Sequence, residues 1–197
     1  MFSRNKAALV GLLLLARVVA LMLFGPDLYG VQAFDIAGAP FTPPFTDAQA
    51  WLGTDYLGQD VLSRVLYGGQ SVLMIAVLAT VLGVALGLVV GVTAAYVGGW
   101  LDELLMRGND VLLAFPQILI ALVVLSAVEQ PTWWMIVLLV GIAHAPRVAR
   151  VARGVALSYV NNDFVTAAEA IGEPRWRIAM FELGPNLVVP LLAETGL

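Results

Sequence analysis

The stretch VLMIAVLATVLGVALGLVVGVTAAYV, residues 72–97, contains no charged side chain. The uncharged run continues on both sides and covers residues 65–101. A helix needs about 20 predominantly apolar residues to cross the hydrocarbon of a bilayer, so this run is long enough to span one. The whole chain is 60% hydrophobic and 12% charged, whereas a soluble domain carries about 25% charged residues. The sequence therefore predicts an all-α integral membrane protein.

Four further apolar segments accompany this one. The segment at residues 7–24 contains a single cation, Arg17, and the segment at residues 111–128 has Pro116 near its start. The five segments cover residues 7–24, 72–97, 111–128, 130–146 and 183–197. The last is too short to span a bilayer comfortably. We expect one polytopic transmembrane domain over residues 1–197, with about four complete helices, the start of a fifth, and an incomplete C-terminus.

The distribution of charge predicts the orientation of these helices. Arg4 and Lys6 precede the first helix, and cytoplasmic flanks carry an excess of Lys and Arg. Residues 25–69 contain five Asp and one Arg, whereas residues 147–182 contain five Arg, three of them spaced by three along a helix that leaves the membrane. We therefore expect a cytoplasmic N-terminus, an extracytoplasmic loop at 25–69 and a cytoplasmic loop at 147–182.

The first segment has a second interpretation, as a signal peptide. Its basic start and the small residues VQA at 31–33 are typical of a cleaved leader. The long apolar stretch, and the position of VQA well beyond Pro26, favour a retained helix. Arg17 is expected to snorkel or to pair with a neighbouring helix, although a cation in a span also indicates a possible pathway.

Small residues recur every fourth position in the second helix. A spacing of four places them on one helical face, where they let a neighbouring backbone approach closely. The sequence predicts a helix-packing seam here, which would also let two helices slide during a conformational change. Its residues are Ala79, Gly83, Gly87, Gly91 and Ala95.

Several chemistries are excluded or unsupported by the composition. The chain has no cysteine and one histidine, His144, which leaves no usual zinc site. The only lysine, Lys6, lies outside any GxxxxGK[ST] pattern, so this chain has no phosphate-binding loop. Asp55 and Asp60 lack a catalytic partner, and we expect instead a helix on the outer surface capped by Thr54 or Asp55. We predict no catalytic and no metal-binding residue, and the sequence identifies no substrate-binding residue.

The stretch DFVTAAEAIGEPRWRIAMFELGPN, residues 163–186, is more polar than its surroundings. Asp163 is suited to cap a short helix that Gly172 ends, with Pro174 just beyond. A second helical stretch is expected at about 175–182, before Gly184 and Pro185. The predicted helix–turn–helix carries apolar residues on a cytoplasmic projection, which indicates a partner surface. These residues are Phe164, Val165, Ile171, Trp176, Ile178 and Phe181.

This stretch resembles the cytoplasmic loop of permease subunits from binding-protein-dependent ABC importers. The family pattern is Glu-Ala-Ala, three residues, Gly, and a Pro thirteen residues after the Gly. The matching positions here are Thr166, Ala167, Ala168, Gly172 and Pro185. Thr166 replaces the usual Glu, which questions any acid-dependent contact there, and Gly184 stands where Leu is common.

Two further stretches resemble the dipeptide and oligopeptide branch of that family, which also includes nickel permeases. They are GTDYLGQDVLSRVLYGG at 53–69, where Gln59 replaces the usual Arg, and YVGGWLDELLMRGNDVLLAFP at 96–116. The chain is similar to the second of the two permease subunits in such systems. The resemblance implies a type I ABC importer permease in a prokaryotic cytoplasmic membrane, in a family whose members have six transmembrane helices.

The resemblance also implies partners and site residues. The partners would be a second homologous permease subunit, two ABC ATPase subunits that bind ATP and Mg²⁺, and an extracytoplasmic solute-binding protein, with membrane lipid around them and no nucleic acid. The loop that couples to the ATPase would contain Asp163, Phe164, Thr166, Ala167, Ala168, Gly172, Trp176 and Pro185. The expected cargo is di- or oligopeptides, with nickel or another small solute as the alternative. A secondary transporter is less well supported, because no internal repeat is visible and Arg17 is the one candidate midplane charge.

Overall fold

The computed structural model describes residues 6–30, 33–48, 50–160, 162–174 and 177–178. Over these residues the regular structure is helical, and β pairing is confined to isolated bridges in the loop after the first helix. The prediction of an all-α protein is confirmed. The helices are α1 (Lys6–Tyr29), α2 (Val61–Val97), α3 (Gly99–Ala114), α4 (Gln117–Ser126), α5 (Trp133–Tyr159) and α6 (Asp163–Ala170).

Three of these helices are long and apolar enough to cross a bilayer, over Leu9–Tyr29, Val61–Val97 and Trp133–Tyr159. The pair α3 and α4 passes the same test only when taken together, and its two members are bent by 78°. The protein is therefore a multi-pass membrane protein with three or four spans among the described residues, as predicted. The expected fifth segment, 183–197, lies outside the described residues.

The prediction of one continuous helix over 111–128 is wrong. α3 ends at Ala114 and α4 begins at Gln117, with the 78° bend between them. Pro116 causes the break, because proline lacks an N–H and keeps the residue before it out of the helical region. Phe115 is accordingly extended, with φ −95° and ψ 136°. Arg107 lies within α3.

The start of α2 also differs from the prediction. The expected surface helix capped by Thr54 or Asp55 does not form, since α2 begins at Val61 and runs unbroken to Val97. Asp60 precedes its first turn, and its carboxylate accepts a hydrogen bond of 2.7 Å from the Ser63 amide. This is the usual pattern of an N-cap. Residues 61–69 are thus the first turns of a membrane helix.

Thr54 and Asp55 stabilise the loop instead. The Thr54 hydroxyl donates to the Ala39 carbonyl at 2.5 Å and accepts from the Thr42 amide at 2.9 Å. The Asp55 carboxylate accepts hydrogen bonds from the Leu57 and Gln59 amides and pairs with Arg64. Partial burial raises the pKa of the Asp55 carboxyl, but these hydrogen bonds outweigh it, so the pKa lies below its ordinary value.

The described chain forms two compact units, residues 1–74 and 75–197. In the first unit, α1 packs on the first turns of α2. A Cβ added at Gly25 would lie 2.7 Å from a methyl carbon of Leu66, and one added at Gly69 would collide with the Met22 side chain. Arg17 is exposed on α1.

In the second unit, the small residues of α2 lie directly against α5. A Cβ added at Gly83 would lie 2.9 Å from the Gly141 carbonyl oxygen, and one added at Gly87 would lie 2.5 Å from Val148 Cβ. One added at Gly91 would collide with the Ala149 carbonyl oxygen. The two helix backbones therefore approach each other so closely that these positions admit no side chain.

α5 is longer than the apolar segment from which it was predicted. The apolar segment ends at Pro146, whereas the helix continues through this proline to Tyr159. The extension carries Arg147, Arg150 and Arg153, in agreement with the expected helix that continues past the apolar segment. α6 begins at Asp163, shortly after the end of α5, and packs against both α2 and α5.

Candidate partner-docking surface

The N-terminus of α6 is built on backbone hydrogen bonds. The Asn162 carbonyl accepts from the amides of Val165 at 3.0 Å and Thr166 at 3.2 Å. Asp163, expected as the capping residue, is instead the first residue of the helix. Its carboxylate lies in the first turn, where negative charge is favourable next to unpaired backbone N–H groups.

Gly172 ends α6 in the left-handed conformation, with φ 80°. The Glu173 amide donates to the Ala168 carbonyl at 3.1 Å across the turn. A glycine in this conformation with such a reverse hydrogen bond is the Schellman termination of a helix. The chain then turns again, because the Pro174 carbonyl accepts from the Arg177 and Ile178 amides at 2.8 and 3.3 Å.

One face of this segment is buried within the chain. Val165, Ala168 and Ile178 belong to a cluster of buried residues formed with α2 and α5, and Ile178 is 0% exposed. The prediction that Val165 and Ile178 are available to a partner is therefore wrong, because both complete the core of this unit. The other members of the cluster are Val92, Ala95, Ala152 and Ala156.

The opposite face is exposed. Thr166, Ala167 and Ala170 present small side chains to the solvent, and Ile171 follows them with 79% of its surface exposed. Small side chains leave the helix backbone accessible to a neighbouring chain. Of the other predicted site residues, Trp176, Phe181 and Pro185 and the side chain of Phe164 lie outside the described part of the chain.

Polar contacts tie α3 and α4 to α5, the helix that precedes α6. The Arg153 guanidinium donates twice to the Asp102 carboxylate, with both N···O distances at 2.6 Å. Arg150 pairs with Asp110 at 2.7 Å, and the Gln117 side-chain amide donates to the Ala143 carbonyl at 2.6 Å.

Sequence reasoning assigned the arginines of α5 to membrane orientation and missed their acidic partners. The signal available was that two aspartates of α3, Asp102 and Asp110, lie eight positions apart on a stretch preceding the arginines. Nothing in that spacing identified α5 as the neighbouring helix.

No group of three or more His, Cys, Asp or Glu residues in the described part of the chain is arranged to hold a metal ion. The contacts described for α6 are apolar packing against α2 and α5 and the backbone hydrogen bonds at its two ends.

Comparison with known proteins agrees with these observations. Residues 83–197, more than half of the chain, match the family of the binding-protein-dependent transport system inner membrane component. This match defines a class, the membrane components of binding-protein-dependent transport systems. The chain belongs to that family.

Individual relatives extend the likeness to the first part of the chain. The dipeptide transport system permease protein DppC of Alkalihalophilus pseudofirmus is 29% identical over 99% of this chain. The di/tripeptide permease protein DppC of Pseudomonas aeruginosa is 31% identical over 100% of it, and a putative peptide transport system permease protein of Brucella abortus is 36% identical over 96%. The chain spans 64%, 66% and 63% of these relatives' lengths.

Proposed function

We propose that this chain is the transmembrane permease subunit of an ATP-driven importer that translocates di- or oligopeptides. The observation that carries the proposal is the family match over residues 83–197, a range that includes α6 and its exposed face. The three relatives described above are peptide permeases by name, which favours peptides over nickel. The chain itself is a transport subunit and not an enzyme.

In this proposal α6 and its glycine turn contact a separate ATPase subunit. The buried face of α6 is held by the apolar cluster with α2 and α5, so a push on the exposed face would move those helices. ATP and Mg²⁺ would bind to two ABC ATPase subunits, because this chain has no phosphate-binding loop. A second homologous permease and an extracytoplasmic solute-binding protein would complete the assembly, as the family description implies for a binding-protein-dependent system.

We further propose a prokaryotic cytoplasmic membrane location with the N-terminus inside, the loop between α1 and α2 outside, and the arginine-bearing end of α5 with α6 inside. The acidic character of the first loop and the arginines of α5 support this orientation. The chain has no cysteine, so single cysteines at two exposed positions provide a clean test. In intact cells an impermeant maleimide should label Ala48→Cys but not Thr166→Cys until the membrane is opened. Labelling of Thr166→Cys in sealed cells, with Ala48→Cys labelled alongside it, contradicts the orientation.

Uptake by the assembled transporter tests the function. The full-length chain would be reconstituted in vesicles with its companion permease, ATPase subunits and binding protein, with radiolabelled dipeptide or Ni²⁺ outside. We expect the vesicles to accumulate the peptide when ATP is supplied. We expect them to accumulate no more Ni²⁺ than vesicles that lack this chain. Accumulation of Ni²⁺ alone would make the cargo a metal ion. Accumulation of peptide without ATP, driven by an ion gradient, would contradict the importer and favour a secondary transporter.

A further inference from the structure

We propose that Asp102 and Arg153 form a positioning pair that makes α3 move together with α6. The inference rests on the proposed function, since it concerns how a push on α6 reaches the broken segment formed by α3 and α4. The observation that supports it is a bidentate ion pair located where α2, α3 and α5 meet.

The geometry of the pair fixes orientation as well as distance. Arg153 Nε lies 2.6 Å from one carboxylate oxygen of Asp102, and a terminal guanidinium nitrogen lies 2.6 Å from the other. A planar guanidinium and a planar carboxylate joined by two parallel hydrogen bonds resist both rotation and separation. The pair is therefore suited to transmit a movement from one helix to the other.

Arg153 lies beside the packing that holds α6. Ala152 directly precedes Arg153 in the sequence, and Ala156 follows it by about one helical turn. Both alanines belong to the buried cluster with Val165 and Ala168 of α6. On the α2 side, a Cβ added at Gly91 would lie only 2.9 Å from the Arg153 amide nitrogen. This close contact holds Arg153 directly against the α2 backbone, so we expect a displacement of α6 to reach Arg153 through the packed ends of α2 and α5.

The segment formed by α3 and the start of α4 is anchored to α5 at both of its ends. Asp102 holds its first turn, and beyond the bend the Gln117 side chain holds the start of α4 to the Ala143 carbonyl at 2.6 Å. Because this segment is attached to α5 at both ends and is itself a rigid helix between them, we expect it to follow the movement of α5. A displacement of α5 is thereby expected to move α3 and the bend at Pro116 as one body.

The second ion pair between the same helices is a natural comparison. The side chains of Arg150 and Asp110 are 60% and 58% exposed, whereas those of Arg153 and Asp102 are 33% and 18% exposed. Exposed pairs contribute little to stability, because water screens the charges and the long side chains lose entropy. We therefore assign the positioning role to Asp102 and Arg153, and Asp110 supplies a matched control on the same two helices.

The experiment measures coupling in the complete transporter. Asp102→Asn, Asp110→Asn and the exchange Asp102→Arg with Arg153→Asp would each be reconstituted with the partner subunits. For each we would measure ATPase co-purification, hydrolysis with and without the binding protein, and peptide taken up per ATP. We expect Asp102→Asn to retain the ATPase but to lower uptake per ATP about tenfold, Asp110→Asn to stay within about twofold of the parent, and the exchange to recover most of the loss.

The outcomes distinguish failure of this inference from failure of the proposed function on which it rests. If the parental complex takes up no peptide with ATP, the proposed function fails and the inference fails with it. If the parent is active and Asp102→Asn keeps parental uptake per ATP, the inference alone is overturned. If Asp102→Asn fails to assemble, the exchange of Asp102→Arg with Arg153→Asp provides the test. An exchange variant that assembles and recovers uptake per ATP supports the positioning role of the ion pair. An exchange variant that does not assemble, or that assembles without recovering uptake per ATP, overturns that role.

Discussion

Replacement of Gly91 by leucine is expected to remove most of the folded protein. A Cβ at this position would collide with the Ala149 carbonyl oxygen and would lie 2.8 Å from Ala152 Cβ and 2.9 Å from the Arg153 amide nitrogen. Two of these three atoms belong to the backbone of α5, so no side chain can rotate away to make room. Overpacking of this kind costs about 3 kcal/mol, and a leucine adds three further carbons to the collision.

Gly154 provides the matched control, because it also lies in a helix but has no atom within 4 Å of an added Cβ. Gly154→Leu should fold at least as well as the parent, since leucine gains about 0.5–1 kcal/mol over glycine in a helix interior. The measurement is the yield and thermal midpoint of monodisperse protein in detergent. Equal losses for both variants, or a normal yield for Gly91→Leu, would show that the contact between α2 and α5 is not as close as described.

The seam also illustrates what a sequence can and cannot predict. The spacing of Gly83, Gly87 and Gly91 identifies one face of α2, because a period of four follows directly from helix geometry. It does not identify the helix that meets this face. α5 carries its own small residues, Gly141, Ala145, Ala149 and Ala152, but such pairing is one of several combinations, and packing in three dimensions selects among them.

Local backbone chemistry was predictable where one residue decides it, and less so where two signals compete. Gly172 was expected at the turn after α6, and it has the expected positive φ. At Pro116, however, continuous hydropathy favoured one span and the proline favoured a break, and the structure follows the proline. At the start of α2 three acidic or hydroxyl residues could have capped the helix, and the loop uses Thr54 and Asp55 for its own hydrogen bonds, which leaves Asp60.

The exposed face of the predicted docking segment differs in composition from the expectation. Sequence reasoning treated all apolar residues of 163–186 as available to a partner, because a short helix pair has no visible core of its own. The extension of α5 beyond Pro146 supplies that core and buries Val165 and Ile178. Small residues and Ile171 remain on the exposed face, which changes the expected contact from a broad apolar patch to a helix backbone with one large side chain.

Replacement of Gly172 by valine is expected to abolish transport while leaving the protein in the membrane. The residue has φ 80°, a conformation that costs about 1–2 kcal/mol for residues with a Cβ and is an outlier for β-branched ones. Space is not the reason, because an added Cβ meets no atom within 4 Å. The strain would open the turn, break the hydrogen bond from Glu173 to Ala168, and move Pro174 and all that follows relative to α6.

Asparagine at the same position is the matched control, because it enters the left-handed conformation more readily than other residues with a side chain. Gly172→Asn should retain most of the parental transport, whereas Gly172→Val should not. Both variants add a side chain to an exposed position, so they differ chiefly in the backbone conformation that they permit. Both should reach the membrane, since the turn lies beyond the membrane-spanning helices, and transport is compared at equal amounts of membrane protein because the displaced segment contains the buried Ile178.

The most direct test of the proposed role of α6 is the hydrolysis of ATP by the reconstituted transporter, with and without the binding protein, for the parent, Gly172→Asn and Gly172→Val. We expect the binding protein to stimulate hydrolysis in the parent and in Gly172→Asn. In Gly172→Val we expect the binding protein no longer to stimulate hydrolysis. We also expect the ATPase no longer to co-purify with this variant. Full stimulation and normal ATPase retention in Gly172→Val, with its turn geometry altered, would contradict the claim that α6 and its turn are where this membrane subunit meets its ATPase.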